Sequence, residues 1–379
     1  MRTNRTKIAA RGAIAVILVT AGLVGTAGTA SAATAADTLQ AAAQQGVADG
    51  YPGVIGLVEE NGTATDVSAG VGNLSTNAAA DPTAQFRIGS VTKTFIAADL
   101  LLLESQGKLS MDDTVAKWLP GVVNANGNDG TKITLRELLN MTSGLPDFFE
   151  KIPAADWTST NTRYTPQQLV NIALTSPPTS APGAAVNYTN TAYILAGMVI
   201  QKVTGNDPSI EVTDNIIRPL GLTNTSFPTT DPDMHGNYLH GYELPVWWIG
   251  TPPYTETSTS NPTLTGAAGA MVSTEADLAT FYRALFTGKV LPAAQLKEME
   301  TGAREGTTNN YFDLGIETIS TPCGPMYSKN GAVPGYANLA VSSGDGSKQI
   351  MIAGNEYNLH PGQGFDAIVT GAENAYCAT

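Results

Sequence analysis

The sequence predicts an α+β fold in which the two ends of the chain complete one antiparallel sheet. A hairpin signal and strand-like segments occur before residue 90, and short apolar runs separated by Gly, Asn or Pro turns return after residue 305. Between them, apolar residues recur at helical spacing. We therefore expect a sheet lobe of residues 33–90 and 305–379, flanked by helices, with a mainly helical lobe of about 91–304 inserted in it.

The first 32 residues have the pattern of a signal peptide. Four basic residues precede an apolar run from Ala13 to about Gly28, and Ala30-Ser31-Ala32 has the small-x-small spacing that signal peptidase recognises. The alternative is a membrane anchor, but a run of about 16 residues rich in Ala, Gly and Thr is short for a stable span. We expect cleavage near Ala32, secretion of residues 33–379 and no stable membrane span in the mature chain.

The first part of the mature chain combines a helix, a hairpin and a second helix. Residues 33–50 are rich in Ala and Gln and are typical of a helix. Asn61-Gly62 separates two strand-like segments, which is a strong hairpin signal. Phe86–Gly89 is a short extended segment before a helix from Thr92 to Gln106, which Gly107 ends.

The rest of the chain changes from helices to strands. Helical patterns occupy residues 134–140, 166–175, 191–204, 209–217, 275–286 and 293–300. Strands are predicted at Phe312–Ile319, Pro325–Lys329, Tyr336–Ser342 and Gln349–Ala353, and a final helix at Phe365–Tyr376.

The mature chain is strongly acidic. The sequence has 20 Lys and Arg against 33 Asp and Glu, and four of the basic residues lie in residues 1–32. The remaining 16 cations against 33 anions argue against nucleic acid, because a phosphate backbone requires a cationic face. We expect a monomer that acts on a small-molecule or peptide substrate.

Two cysteines, Cys323 and Cys377, occur in the exported part. In an oxidising compartment a pair without a third competitor most simply forms a disulfide. The alternatives are two free thiols or half of a metal site, and no spacing of His or Asp supports the latter. The disulfide would close a loop of about 55 residues and stabilise the fold by about 4 kcal/mol on the chain-entropy model.

Ser90 and Lys93 form a Ser-x-x-Lys motif at the start of a predicted helix. Ser105 and Lys108 have the same spacing, so spacing alone does not choose between them. Ser105 lies at a helix end, whereas the N-terminus at Ser90 would stabilise negative charge on the serine oxygen. The alternative is that Ser90 is an ordinary N-cap.

Tyr188 and Asn190 form a Tyr-x-Asn motif in a loop before a helix, where a catalytic side chain is well placed. The alternative is a buried tyrosine with a bonded hydroxyl. Tyr336 and Asn338 repeat the spacing inside a predicted strand, where Tyr336 is expected to pack.

Lys329-Asn330-Gly331 is predicted to end a strand. Gly331 would let a substrate backbone approach closely, and the amide of Ala332 could share an oxyanion with that of Ser90. In isolation, Lys329 could equally be a solvated lysine at a strand end.

These residues predict acyl transfer through a serine ester. His235, His240 and His360 are the only histidines, no Ser-His-Asp arrangement is evident, and their spacing does not suit a metal. Lys93 acts as a base only if its pKa falls from about 10.4, as burial and a second cation at Lys329 would achieve. The same cations would stabilise a Tyr188 phenolate, so either group, or the pair, could carry the proton. We expect no cofactor and no metal.

The segment Phe86-Arg-Ile-Gly-Ser90-Val-Thr-Lys93 resembles the active-site segment of the serine β-lactamase and penicillin-binding-protein-like family, especially secreted actinomycete D-alanyl-D-alanine carboxypeptidases. Further segments similar to family segments are Gly107–Val115, Leu135–Leu139, Thr142–Leu145, Pro182-Gly183, Arg218–Leu222, Ala268–Thr274 and Gly331–Tyr336.

The resemblance implies a β-lactamase/transpeptidase-like fold, with the site between the sheet and the helical lobe. It gives Ser90 the acyl-serine role and Lys93 and Tyr188 proton transfer. It also implies that Asn190 bonds the substrate amide and that Lys329 acts electrostatically.

Three departures from the family pattern bear on the substrate. Lys329 replaces the usual histidine, so we predict no limb near pH 6–7 in the rate profile from this position. Glu317 stands where similar carboxypeptidases have an arginine for the substrate's terminal carboxylate, which leaves an ester, an amide or a peptide without a free end as alternatives. Asn330 and Ala332 replace hydroxyl residues, which removes two substrate contacts.

Aromatic residues in loops have two interpretations. Phe148-Phe149, Trp247-Trp248 and Tyr254 could line an apolar acyl pocket, but packing is the favoured interpretation for aromatics in Pro-rich loops. We predict a secreted D-alanyl-D-alanine carboxypeptidase-like peptidase that binds β-lactams. The alternatives are an esterase or β-lactamase on the same site, or a non-catalytic penicillin-binding or sensor module.

Overall fold

The computed structural model describes residues 33–244, 254–357 and 363–378. The predicted signal peptide of residues 1–32, Trp247-Trp248 and His360 lie outside these ranges. Within the described part of the chain, no helix combines the length and apolar character needed to cross a membrane.

The strands are β1 (Gly53–Glu60), β2 (Thr63–Asn73), β3 (Ala78–Ala79), β4 (Phe86–Arg87), β5 (Tyr242–Glu243), β6 (Thr255–Glu256), β7 (Val272–Ser273), β8 (Ala303–Arg304), β9 (Tyr311–Phe312), β10 (Glu317–Thr321), β11 (Gly324–Val333), β12 (Tyr336–Ser342) and β13 (Lys348–Gly354).

The α-helices are α1 (Ala35–Ala48), α2 (Thr92–Ser105), α3 (Val115–Trp118), α4 (Leu135–Leu139), α5 (Pro166–Ala173), α6 (Asn190–Thr204), α7 (Pro208–Val212), α8 (Arg218–Leu220), α9 (Pro262–Gly269), α10 (Glu275–Phe286), α11 (Ala293–Met299) and α12 (Gln363–Cys377). Short 3₁₀ turns lie at Gly89–Val91, Phe149–Lys151 and Ala154–Asp156, and a π-helical turn at Thr213–Ile217.

The main sheet joins the two ends of the chain, as the sequence predicts. Its strand order is β3-β2-β1-β13-β12-β11-β10-β9-β8, and its pairings are antiparallel. The β1–β2 turn is tight because Asn61 and Gly62 both adopt positive φ, 51° and 81°. The α+β prediction is therefore confirmed.

Both faces of this sheet are covered by helices. Alternate residues of β1 point in opposite directions, so Val54 and Val58 pack in a cluster with α1 and α12, which includes Leu39. Ile55 and Leu57 face the larger core, which contains the apolar side of α2. Helix α2 is buried along most of its length and packs against α6, α9 and α11. The 3₁₀ turn Gly89–Val91 that leads into α2 lies against β11 and β12, which places the start of the helix beside the sheet.

The structure corrects several element boundaries. Lys329 lies inside β11 and not at its end, because pairing with β12 continues through Val333. The predicted strand at 312–319 is divided into β9 and β10 by a turn at Asp313–Ile316. Helices α3 and α9 have no counterpart in the predicted elements.

The predicted disulfide between Cys323 and Cys377 is present. It joins the turn between β10 and β11 to the end of α12.

Candidate active site

Ser90 lies in the 3₁₀ turn that leads into α2. Gly89 precedes it with a φ of 49°, a left-handed conformation that favours glycine. The half-buried Ser90 thus sits at the start of a helix, as the sequence predicts, and Lys93 follows one turn later.

Lys93 is completely buried and holds three contacts. Its Nζ donates to Ser90 Oγ at 2.8 Å, to Asn190 Oδ1 at 2.9 Å and to the carbonyl oxygen of Ala268 at 2.6 Å. Burial is the main cause that lowers the pKa of Lys93, and Lys329 lowers it further, against the opposing effect of Tyr188. The lowered pKa makes a neutral amine accessible beside the serine.

Tyr188 lies in the loop before α6, and its side chain contacts that of Ser90. Its Oη donates to Ser90 Oγ at 2.7 Å, while 42% of the residue is exposed. The ring centroid lies 5.1 Å from Lys93 Nζ and 5.4 Å from Lys329 Nζ. Loss of water around the hydroxyl raises the pKa of Tyr188, but the two ammonium groups outweigh it, so the pKa lies below its ordinary value.

Asn190 begins α6 and is fixed by Asp147. The Asp147 Oδ2 accepts hydrogen bonds from the Asn190 backbone N–H at 3.2 Å and from Nδ2 at 3.0 Å. Because Nδ2 is held by this carboxylate, Oδ1 is the atom that faces Lys93. Burial raises the pKa of Asp147 despite these bonds.

The positive charge of Lys329 is balanced by the carboxylate of Glu317 inside the site. It is 2% exposed, and its Nζ lies 2.7 Å from Glu317 Oε1 and 2.8 Å from Asn330 Oδ1. Burial acts to lower the pKa of Lys329, but Glu317 and Tyr188 raise it above its ordinary value. Lys329 is thus charged and already paired.

Gly331 packs closely against the backbone of the segment that leads to Ser90. A side-chain carbon at Gly331 would collide with the carbonyl oxygen of Ile88, so it is the protein's own backbone that approaches. A carbon at Gly89 would lie 2.7 Å from the amide nitrogen of Ala332. The backbone of Gly89, next to Ser90, therefore lies close to that of Ala332, and Ser90 and Ala332 border the same cleft, as a shared oxyanion site requires.

Ser90, Tyr188 and Asn190 border one open cleft of about 920 Å³, called here the main cleft, whereas the buried Lys93 and Lys329 are not among the residues that line it. Its walls include Phe149, Phe312 and Tyr357, and the carboxylates of Asp147, Glu150 and Glu317. Among the substrate-binding candidates, Asn190, Asn330 and Ala332 border the cleft.

Residues that repeat the motif spacings lie elsewhere. Ser105 Oγ bonds the carbonyl oxygen of Leu102 on an exposed helix end, and Tyr336 is buried in β12. Tyr254 bonds the carbonyl oxygen of Gly50, away from Ser90.

Two contributors were missed by sequence reasoning. Asp147 directly follows Gly144-Leu145-Pro146, a segment already noted, so a carboxylate beside it was a usable signal. The contact of Lys93 with the backbone carbonyl of Ala268 could not be predicted from residue type, because every residue has a backbone carbonyl.

Comparison with known proteins supports the family resemblance that the sequence motifs indicate. The Beta-lactamase family matches residues 39–338. Penicillin-binding protein 4* of Bacillus subtilis is 27% identical over 281 residues, covering 72% of this chain and 60% of that protein. Protein flp of Staphylococcus aureus is 31% identical over 226 residues, covering 59% of this chain and 43% of that protein. The chain thus spans about half the length of these curated relatives.

Solved structures match over nearly their whole length. A D-stereospecific amidohydrolase from Streptomyces sp. is 35% identical with a TM-score of 0.81, covering 91% of this chain and 99% of that one. A D-amino acid amidase from Ochrobactrum anthropi is 25% identical with a TM-score of 0.79, covering 90% and 98%. With the family match, these likenesses establish that the chain belongs to the Beta-lactamase family of serine hydrolases.

Proposed function

We propose that the protein hydrolyses amides of D-amino acids, or short D-amino-acid peptides without a free carboxylate next to the scissile bond. Ser90 is the proposed nucleophile, Lys93 and Tyr188 transfer protons, and the amides of Ser90 and Ala332 bind the oxyanion. The pairing of Lys329 with Glu317 is the observation that carries the choice of substrate.

The reaction proceeds through an ester on Ser90. Ser90 Oγ forms a bond to the carbonyl carbon and gives its proton to the Lys93 and Tyr188 pair, both within 2.8 Å of it. The carbon–nitrogen bond breaks as the leaving nitrogen takes that proton. Water then attacks the ester carbonyl and loses a proton to the same pair. The bond from the carbonyl carbon to Ser90 Oγ breaks, Oγ takes up that proton, and the acid and the free serine are released.

The charges in the cleft argue against a substrate that ends in a carboxylate. Glu317 forms an ion pair with Lys329, and Asp147 and Glu150 add negative groups to the same walls. Lys151 also lines the cleft, but its Nζ donates to the carbonyl oxygen of Ile172 and to the hydroxyls of Thr175 and Ser176. A substrate carboxylate would have to displace a buried ion pair, which costs several kcal/mol. An amide carries no such charge. The activities after which the Streptomyces amidohydrolase and the Ochrobactrum anthropi amidase are named support the same choice.

Secretion is a further proposal. It is supported by the signal-peptide pattern of residues 1–32 and by the Cys323–Cys377 disulfide, which is typical of an oxidising compartment.

The test compares two substrates and two variants. Wild type should hydrolyse D-alaninamide with a higher kcat/KM than an N-acylated D-alanyl-D-alanine peptide, and Ser90→Ala should abolish both reactions. Glu317→Gln frees the Lys329 ammonium for a substrate carboxylate, so it should shift the kcat/KM ratio toward the peptide by about tenfold, as expected for one charged hydrogen bond.

Glu150→Gln provides the matched control. It removes one negative charge from the same cleft but leaves the Lys329 and Glu317 pair intact, so the ratio should stay near wild type. A wild-type enzyme that prefers the peptide would contradict the amidase proposal and favour the carboxypeptidase prediction.

A further inference from the structure

The helical lobe contains a second large cavity, which shares no lining residue with the main cleft. We call it the rear cavity, and its volume is about 500 Å³. Its apolar walls are Leu169, Ile194, Met198, Phe227, Pro262 and Ala267. Sites for small-molecule ligands typically measure about 300–1,000 Å³ and are lined mainly by apolar side chains, so the rear cavity has the size and the lining of such a site.

Helix α9 separates the rear cavity from the catalytic serine. Gly266 and Ala267 border the rear cavity, whereas Leu264 and Ala268 border a small cavity beside Ser90. The two spaces thus lie on opposite sides of the same helix. A molecule in the rear cavity would contact α9 one residue away from Ala268.

Lys93 is held by the two helices that line the rear cavity. Its Nζ donates to the carbonyl oxygen of Ala268 in α9 at 2.6 Å and to Oδ1 of Asn190, the first residue of α6, at 2.9 Å. Further along α6, Ile194 and Met198 border the rear cavity. Two of the three hydrogen-bond partners of Lys93 therefore belong to helices that a ligand in this cavity would contact.

Helix α9 is bent where it borders the rear cavity. Gly266 has a φ of 40° and a ψ of −131°, which lie outside the helical region and divide the helix into two short segments. The first segment begins at Pro262, and the second carries Ala268. Because the two segments do not form one continuous helix, a group packed on Gly266 and Ala267 would restrain the second segment and its carbonyl group.

The two charged groups of the rear cavity differ in what they already contact. The Asp207 carboxylate caps α7 by accepting a hydrogen bond from the backbone N–H of Ser209 at 2.9 Å. The exposed guanidinium of Arg163 donates to the carbonyl oxygens of Thr162 and Thr230 at 3.1 and 3.2 Å. Among the residues that the structure describes, no carboxylate forms an ion pair with Arg163. A ligand anion at the rim would therefore meet a cation that is not already neutralised.

We propose that the rear cavity binds a soluble carboxylate with an unbranched apolar chain, such as a medium-chain fatty acid, and that this ligand speeds the reaction of Ser90. The chain lies on the apolar walls, and the carboxylate pairs with Arg163. The bound chain holds α9 in place, so the Ala268 carbonyl keeps Lys93 beside the serine. The proposal goes beyond the amidase activity and does not depend on which amide the enzyme hydrolyses.

The first experiment measures binding by isothermal titration calorimetry. Octanoate should bind saturably, octan-1-ol should bind about tenfold more weakly because it lacks the charge, and acetate should not bind saturably because it lacks the chain. Arg163→Gln should weaken octanoate by about tenfold and leave octan-1-ol unchanged. Met198→Trp fills the cavity from α6 and should abolish binding of both.

The second experiment measures how fast a fluorophosphonate labels Ser90. Saturating octanoate should raise the labelling rate of wild type by at least about fivefold, the lower end of couplings between two sites. It should have no effect on the rate of Met198→Trp. A carboxylate bound in the main cleft would instead compete with the probe and slow labelling, so the sign of the effect separates the two sites.

Arg304→Gln provides the matched control. Arg304 is also an exposed arginine that donates to backbone carbonyl oxygens, those of Thr307 and Thr308, but it does not border the rear cavity. Its replacement should leave the octanoate affinity unchanged. Absence of saturable octanoate binding would overturn the proposal, as would binding that Arg163→Gln does not weaken. Unchanged or slower labelling of Ser90 with octanoate bound would also overturn it.

Discussion

At the scale of single residues, the reactive arrangement depends on the orientation of one amide group. Asp147 holds both nitrogen atoms of Asn190, which directs Oδ1 to Lys93. The carboxylate does not contact Ser90 itself: it orients Asn190, which contacts Lys93, which in turn contacts Ser90. A change at Asp147 should alter both the positions of these groups and their protonation.

We expect Asp147→Asn to lower kcat by about tenfold to a hundredfold, the effect of losing a hydrogen bond to a charged group. The negative charge of Asp147 raises the pKa of Lys93, so its removal lowers that pKa further. If catalysis requires the neutral amine, the acid limb of kcat/KM then moves to lower pH, which a pH–rate profile measures.

The control for this prediction is Asp112→Asn, which removes a carboxylate that pairs with Arg136 on the surface. It should leave the acid limb in place. An unchanged limb in Asp147→Asn would contradict the role assigned to this carboxylate.

The sequence predicts the reactive side chains of the site better than it predicts the residues that these side chains contact. Ser90, Lys93, Tyr188 and Lys329 are found because their residue types and spacings carry chemistry. The pairing of Lys329 with Glu317 depends on the register of β10 and β11, which a spacing along the chain does not contain. Trp157 likewise comes to lie at the small cavity beside Ser90 only through the tertiary fold.

At the scale of elements, the disulfide secures the last helix. Cys377 ends α12, and Cys323 lies in the turn before β11, the strand that carries Lys329. Helix α12 also packs on the sheet through Ile368 and Ala372. The cross-link thus restrains two elements that are distant in the sequence.

We predict that replacing both cysteines by serine lowers the free energy of unfolding by about 4 kcal/mol, because the unfolded chain regains the entropy of an open loop. Urea denaturation measures this loss. Activity under native conditions should be retained, since the disulfide does not border the main cleft.

Reduction of the wild-type protein gives the control. A reductant should lower its stability toward that of the double variant and leave the variant itself unchanged. Equal stability of the oxidised wild type and the variant would contradict the prediction.

Element types were predictable where periodicity was long and regular. The hairpin of β1 and β2 and the helix α6 follow directly from turn chemistry and apolar spacing. Helix α9 was missed because its composition is mixed and its course is broken at Gly266, where φ is 40° and ψ is −131°. Glycine readily adopts this positive-φ conformation, which interrupts the apolar spacing from which a helix is predicted.

At the scale of the whole molecule, several buried carboxyl groups make stability depend on pH. Burial raises the pKa of Asp99 to about 7, and one of its oxygens has no hydrogen-bond partner. Glu104, Asp313 and Glu356 have pKa values raised to about 7, mainly by burial, within the described part of the chain. The folded protein therefore holds protons that the unfolded chain releases.

We predict that Asp99→Asn removes part of the pH dependence of the protein's stability. The carboxyl group of Asp99 has a pKa near 3.9 when unfolded, so wild type loses stability from it as the pH rises from about 4 to about 7. The variant keeps a side-chain oxygen for the hydrogen bond from Asn215 but does not titrate.

Chemical denaturation of both proteins from pH 4 to pH 8 measures this effect. The difference in unfolding free energy should grow in favour of the variant through the window and level off above it. A difference that does not change with pH would contradict the raised pKa of Asp99.

The position of β1 between β2 and β13 has a consequence for synthesis of the protein. A ribosome makes the nucleophile in the first quarter of the chain, but the strand that completes its supporting sheet comes near the end. Until residues 348–354 emerge, β1 lacks one neighbour and β12 lacks the other. Hydrolytic competence is thus acquired only after residues 348–354 have been made, and a product truncated before them should carry Ser90 without the ability to use it.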